Sequence, residues 1–432
     1  MGFLKKNQLI FIYLGIWLVL WVPSAYADGT ISSSSVSSVR KLSMEEAVQL
    51  ALTNIDDIQQ AKGKITESSA NTAYIASEKK ELESKSVSVN LGLFPVNTTD
   101  FLQQIPEFNQ LGEEEQQQIL QAIGLQIAIN SSINQWIGLQ SQMQTSYNEQ
   151  LKDKQLQTYE AQLRSLVYDN ELAELALMKT QQLVIYAVSQ QYIQLAALSS
   201  QIAYQQNMYA HSSTLASDAQ ILFRTGRTSK SEWDEVQRQQ RIQQSKLDSQ
   251  VRGYKTQLGQ LARELKLDLH TSIEIENITI ATPQLTDYEQ TLDLSRNYEI
   301  QEADAKIKFA KDNLNSLTDP GTELKHYYTV LWSNAVSQRD AIWSRLENKW
   351  ADQKAKLTEL YYRLQDAIDE EQDAAQLAED ASQLYSKGRL SLSELDKASQ
   401  TQRQAEMSKT DLLYQYLLQA ETCKLATHGM IL

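Results

Sequence analysis

The apolar positions of this chain fall mostly at helical intervals. From Leu42 the stretch KLSMEEAVQLALTNIDDIQQAKGKI is patterned as a helix reaching about Glu83, and Ser43 stands three residues before Glu46 in a capping-box arrangement. Beyond about Trp136 the pattern is helical again to Phe223, with Val184, Val188, Tyr192 and Leu195 at 4-4-3 spacing. After Gly226 another helix reaches about Leu267, and Leu247, Val251, Tyr254, Leu258, Leu261 and Leu265 keep the alternating 4-3 seam of a coiled coil. A helix of about thirty residues is predicted from Leu285 to the Asp319-Pro320-Gly321 turn, then one from about Glu323 to Tyr385, and a last one after Gly388. Long antiparallel helices in a mainly α chain are the predicted fold class.

Two segments break this pattern. SVSVNLGLF (86–94) places Val87, Val89, Leu91 and Leu93 on one face, a strand signal. The stretch Gln116–Asn148 contains no charged residue, yet its Gln, Asn and Ser content is too polar for a transmembrane helix. Within it, GLQIAINSS (124–132) fits either a second strand or the start of the following helix.

The chain is duplicated. FRTGRTSKSEWDEVQRQQ (223–240) aligns with YSKGRLSLSELDKASQTQ (385–402), matching Gly226 with Gly388, Arg227 with Arg389, Ser229 with Ser391, Glu232 with Glu394 and Asp234 with Asp396. The openings match too: Ser43, Glu46 and Asn54 correspond to Thr286, Glu289 and Asn297. Asn54 and Gly226 are 172 residues apart, whereas Asn297 and Gly388 are 91 apart, so the first half is longer by 81 residues, placed between its opening and return helices. In each turn glycine suits the left-handed position that closes a helix, and Ser-x-x-Glu restarts the next one. Helix caps are thus assigned to Ser43, Glu46, Ser229, Thr286, Glu289 and Ser391.

Composition adds export and subtracts chemistry. Lys5 and Lys6 precede fourteen uncharged, mostly apolar residues and the small-residue site Ala25-Tyr26-Ala27, a secretory signal peptide over 1–27. The formal charge is −14, and removal of those two lysines makes it −16, a poor match to nucleic acid. The single cysteine, Cys423, permits no internal disulfide. His211, His270, His326 and His428 form no metal-ligand spacing, and no nucleophile elbow or phosphate-cradling glycine loop occurs. No enzyme, metal site or cofactor is therefore expected. The predicted organisation is a Ser-rich tether at 28–40, a first helical repeat at 41–267 with an insertion at 85–148, a linker at 268–283 and a second repeat at 284–432.

The signal peptide, the L-S/T-x-x-E opening with its following Asn, and the paired turns TGRTSKSEWDEV and KGRLSLSELDKA together resemble the TolC-like outer-membrane efflux proteins. The resemblance covers nearly the whole mature chain, on short motifs. It implies a homotrimer of duplicated subunits forming a hollow helical barrel, a passive duct docked by a membrane-fusion-type adaptor and energised by a membrane pump. Carried over to matching positions, it makes Gly226, Arg227, Gly388 and Arg389 adaptor-contact candidates, and Glu232 and Glu394 channel-aperture candidates. It also implies four barrel strands per subunit, and the segment 316–330 offers none. The expectation is therefore a reduced member, in an outer membrane or at the surface of a cell without one, whose 85–148 insertion meets a membrane, the cell wall or a partner. An exported coiled-coil or adaptor-like envelope protein without a conduit remains the alternative.

Overall fold

The computed structural model describes residues 40–268, 273–276, 278, 283, 285, 292–317 and 322–432. Two long helices, α4 (Glu113–Arg224) and α7 (Thr322–Ser386), organise the described residues. At 1.5 Å per residue, α4 with its 112 residues is about 170 Å long. Two shorter helices stacked end to end flank each long one: α2 (Asp56–Ser84) and α5 (Lys230–Glu264) beside α4, and α6 (Tyr298–Asn315) and α8 (Leu392–Thr427) beside α7. The short α1 (Met44–Asn54) precedes α2, and α3 (Thr98–Leu102) follows it.

The stacking joints are polar and specific. At the first, Lys266 closes α5 in the left-handed conformation (φ 53°), Asn54 Nδ2 donates to the Leu265 carbonyl at 2.9 Å, and Lys266 Nζ lies 2.7 Å from Asp56 Oδ1. At the second, Gly429 closes α8 with φ 90° and its carbonyl accepts from Tyr298 N at 2.9 Å. A β-carbon at Gly429 would stand 2.5 Å from the Arg296 carbonyl oxygen, so the close approach requires glycine.

Two three-residue strands, β1 (Arg40–Leu42) and β2 (Ile273–Ile275), pair in parallel and tie the segment before α1 to the segment after α5. The Tyr192 hydroxyl of α4 lies 2.8 Å from the Leu42 carbonyl and 2.9 Å from the Glu276 carbonyl, clamping both strands. Burial pushes this phenol up to about 12, so it stays a donor at any physiological pH. Around it pack Leu42, Ala47, Ala51, Val188, Leu195, Leu261 and Leu265. A second core joins α7 and α8 through Leu357, Leu364, Tyr416 and Cys423.

Several expectations are corrected here. The opening helix is broken at Ile55, whose extended backbone (ψ 127°) separates α1 from α2. The long helix begins at Glu113 rather than near Trp136, so 124–132 is helical. The 86–94 segment is not a strand: its alternation points Val87, Val89 and Leu91 inward, but against α4 rather than a sheet. The two short strands lie instead at the end of the predicted tether and within the predicted linker. α6 begins at Tyr298, with Asn297 as its cap accepting from Glu299 N at 2.9 Å. Thr286, Glu289 and the Asp319-Pro320-Gly321 turn lie outside the described residues.

Candidate functional site

The twin reversals are built from the same backbone parts. In the first, Gly226 (φ 71°) follows α4; Arg227 N donates to Leu222 O at 2.8 Å and Gly226 N to Phe223 O at 3.0 Å. In the second, Gly388 (φ 67°) follows α7; Arg389 N donates to Leu384 O at 2.9 Å and Gly388 N to Tyr385 O at 2.8 Å. Both are Schellman closures, which satisfy carbonyls that a helix end would leave unpaired. No atom lies within 4 Å of a β-carbon built at either glycine, so the left-handed backbone alone demands the residue type.

The restarts are equally matched. Ser229 Oγ accepts from Glu232 N at 3.2 Å, and Glu232 Oε2 accepts from Ser229 N at 2.9 Å and from Thr228 Oγ1 at 2.6 Å. Ser391 Oγ accepts from Glu394 N at 3.3 Å, while Glu394 Oε2 accepts from Ser391 N at 3.0 Å and from Ser391 Oγ at 2.7 Å. These hydrogen bonds, from Thr228 first in one turn and the Ser391 hydroxyl first in the other, hold both carboxyls below the usual 4.5. Each glutamate is exposed and spends one oxygen on its cap, leaving the other free to present negative charge. Ser43 caps α1 by accepting from Glu46 N at 3.1 Å, but the Glu46 carboxylate turns to Arg40 instead of returning to the cap, so only half of that capping box forms.

Arg227 and Arg389 are exposed and make no ion pair among the described residues. The first turn is further braced by Phe223 and Trp233, stacked at 4.9 Å with planes 5° apart, a contact the second turn lacks among the described residues. Sequence reasoning missed this brace, although both aromatics stand in the aligned motif.

α8 runs antiparallel beside α4, joined by Tyr186 to Thr422 at 2.9 Å, Ser200 to Tyr414 at 3.0 Å and Gln201 to Asp411 at 3.2 Å. Both reversals therefore fall at the same end of the helical layer. Close to them His211 Nε2 lies 3.0 Å from Asp396 Oδ1, near by distance but without hydrogen-bond alignment. His211 of α4 thus stands beside Asp396 of α8, a pairing not legible from their spacing of 185 positions. Among the described residues no cluster of three His, Cys, Asp or Glu side chains is placed to hold a metal ion.

No protein-family profile and no curated protein matches the chain. Solved structures do. The outer membrane protein VceC of Vibrio cholerae is similar over 89% of this chain and 96% of its own, at 10% identity and a TM-score of 0.53. The Campylobacter jejuni CmeC outer membrane channel is similar over 95% and 94%, at 12% identity and 0.53. A membrane protein of Pseudomonas aeruginosa is similar over 94% and 97%, at 10% identity and 0.55. Likeness across nine tenths of both chains at such low identity is a likeness of architecture: this chain has the TolC-like fold.

Proposed function

We propose that this chain is the protomer of a passive efflux or secretion duct in the cell envelope, assembled as a homotrimer and working with an adaptor protein and a membrane pump. The observation that carries the reading is the pair of matched reversals at one end of a duplicated helical layer, each with an open, exposed Gly-Arg and a capped glutamate. A surface that must be offered repeatedly around a ring to an adaptor benefits from the same backbone geometry in both repeats. In this reading Gly226, Arg227, Gly388 and Arg389 make that contact. Glu232 and Glu394 line the aperture with their free oxygens, concentrating cations and opposing anions by simple electrostatics. The opposite end, with the 85–148 insertion, faces the membrane on the far side of the envelope. Support for a duct over a plain exported coiled coil comes from the second repeat: a single helical hairpin needs one reversal, and closing a cylinder uses both.

The test is export from cells lacking the endogenous protein, measured as efflux of a fluorescent substrate. Full-length protein restores efflux. Glu232→Gln with Glu394→Gln alters the cation preference of the open channel while the thermal melt stays within a few degrees, because glutamine retains the capping acceptor. Unchanged selectivity together with unchanged export would leave these residues a capping role alone.

A further inference from the structure

The 86–99 and 116–148 segments share a property that packing alone does not require: neither contains a single charged residue. At the chain's 22% charge content, these 14 and 33 residues would hold about three and about seven charges. Charges resume at both borders, with Lys85 and Asp100 on one segment and Glu115 and Glu149 on the other. The structure lays the two segments side by side. Asn134 Oδ1 accepts from Phe94 N and its Nδ2 donates to Phe94 O, both at 2.8 Å. Asn130 Nδ2 donates to Pro95 O at 2.8 Å, Thr145 Oγ1 accepts from Val89 N at 3.2 Å, and Ser141 Oγ donates to Val89 O. Side chains spaced 4-7-4 along α4 thus do for this extended segment what a neighbouring strand would do.

On the remaining surface of α4 large apolar residues gather on one arc, which exposed Ser132 and Gln140 interrupt. Leu125, Ile129, Trp136, Leu139, Met143 and Tyr147 recur at helical spacing and are exposed, with Leu125 and Trp136 each at 69% and Met143 at 68%. They span about 33 Å at 1.5 Å per residue, close to the roughly 30 Å of a bilayer core. A separate arc carries Gln117, Ser131, Gln135, Gln142 and Ser146, exposed and polar but uncharged. No described helix is long and apolar enough to cross a membrane alone.

We infer that the charge-free pair 86–99 and 116–148 inserts into a lipid bilayer as an α-helical element, its Leu125–Tyr147 face against acyl chains and its uncharged polar arc turned away from lipid. The inference rests on the reading of this insertion as the membrane-facing end of the duct. Contact with a second copy would call for one apolar face and would leave charges free to occupy the others. Low dielectric on all sides disfavours charge everywhere, and the Asn130, Asn134, Ser141 and Thr145 bonds pair the backbone of Val89, Phe94 and Pro95.

The test is flotation of the full mature protein with phosphatidylcholine vesicles, read beside its mass in detergent. Wild-type protein floats, and lipid brominated at mid-chain quenches fluorescence that Trp136→Phe removes. The triple variant Leu125→Glu, Trp136→Glu, Met143→Glu lowers the floated fraction at least about tenfold. Gln155→Glu, Gln157→Glu, Gln162→Glu, at exposed positions of α4 beyond the charge-free segment, keeps most of it, with circular dichroism of both variants unchanged. Equal losses from the two triples, or wild-type protein that stays in the soluble fraction, overturn the inference. A trimer that does not float sinks lipid insertion and leaves the duct standing; a monomer that floats does the reverse.

Discussion

Alanine at Gly429 adds one methyl group, but its consequence depends on a contact that Gly226 and Gly388 lack. All three glycines close helices with positive φ, at 90°, 71° and 67°. At Gly226 and Gly388 the added carbon meets nothing within 4 Å, so the cost is conformational only: about 1–2 kcal/mol for a left-handed L-residue, less roughly 0.4–1 kcal/mol from the restricted unfolded chain. The net expectation is about 1 kcal/mol or less at either turn. At Gly429 the same carbon lies 2.5 Å from the Arg296 carbonyl oxygen, a backbone atom that cannot rotate away. Relief requires separating α8 from α6, which breaks the Tyr298 N to Gly429 O bond and disturbs the core of Leu294, Ile300, Leu346, Ala426 and Ile431. Losing a buried hydrogen bond at about 1–3 kcal/mol and loosening that core bring the total to several kcal/mol. Denaturant melts followed by helical circular dichroism measure this: Gly388→Ala shifts the midpoint slightly, Gly429→Ala strongly, and the Tyr298 amide loses exchange protection only in the latter. Equal midpoints for the two variants would refute the reasoning.

Removing the Tyr192 hydroxyl by Tyr192→Phe leaves the Glu276 carbonyl without its donor, while the Leu42 carbonyl still accepts from Glu276 N at 3.0 Å, and costs about 1–3 kcal/mol, read in the same melts; no loss would mean the strand pair holds itself. Cys423 is fully buried and burial pushes its thiol up to about 11, so at pH 8 roughly one molecule in a thousand carries the thiolate, and Ellman's reagent should label it only after denaturation. The depressed carboxyls of Glu232 and Glu394 contribute cap stability that is fully present above pH 4.5 and is lost as pH falls through their lower folded values. Protection of the Ser229 and Ser391 amides, corrected for intrinsic exchange, should therefore decline only below pH 4.5, and a decline centred near pH 6 would contradict the hydrogen-bonded assignment.

Much of this fold was readable because long helices repeat their pattern many times. The 4-3 seam from Leu247 to Leu265 and the aligned Gly-Arg-x-Ser-x-x-Glu turns need no partner to be recognised. What was hidden depends on a second element. Val87, Val89 and Leu91 do alternate inward, but whether a strand or a helix receives them is decided by Asn130, Asn134, Ser141 and Thr145, whose aim no sequence pattern reveals. The helix start at Glu113 was masked by Gly124, the Asn130-Ser131-Ser132 run and Gly138, which interrupt its helix-favouring Glu, Gln, Leu and Ala residues, and the break at Ile55 carries neither Gly nor Pro. Gly429 reads as an ordinary helix terminator until the Arg296 carbonyl is seen beside it. Within the candidate site, the turn chemistry was local and legible, whereas the approach of His211 to Asp396 brings α4 and α8 together and was not.

The central claim is that copies of this chain close into a conduit. Mass photometry of the mature protein, in detergent and in plain buffer, followed by imaging of the particles along their long axis, tests it directly. The account predicts three copies around a water-filled centre with both reversals at one rim. A stable monomer in plain buffer, or an assembly with a solid core, would contradict it.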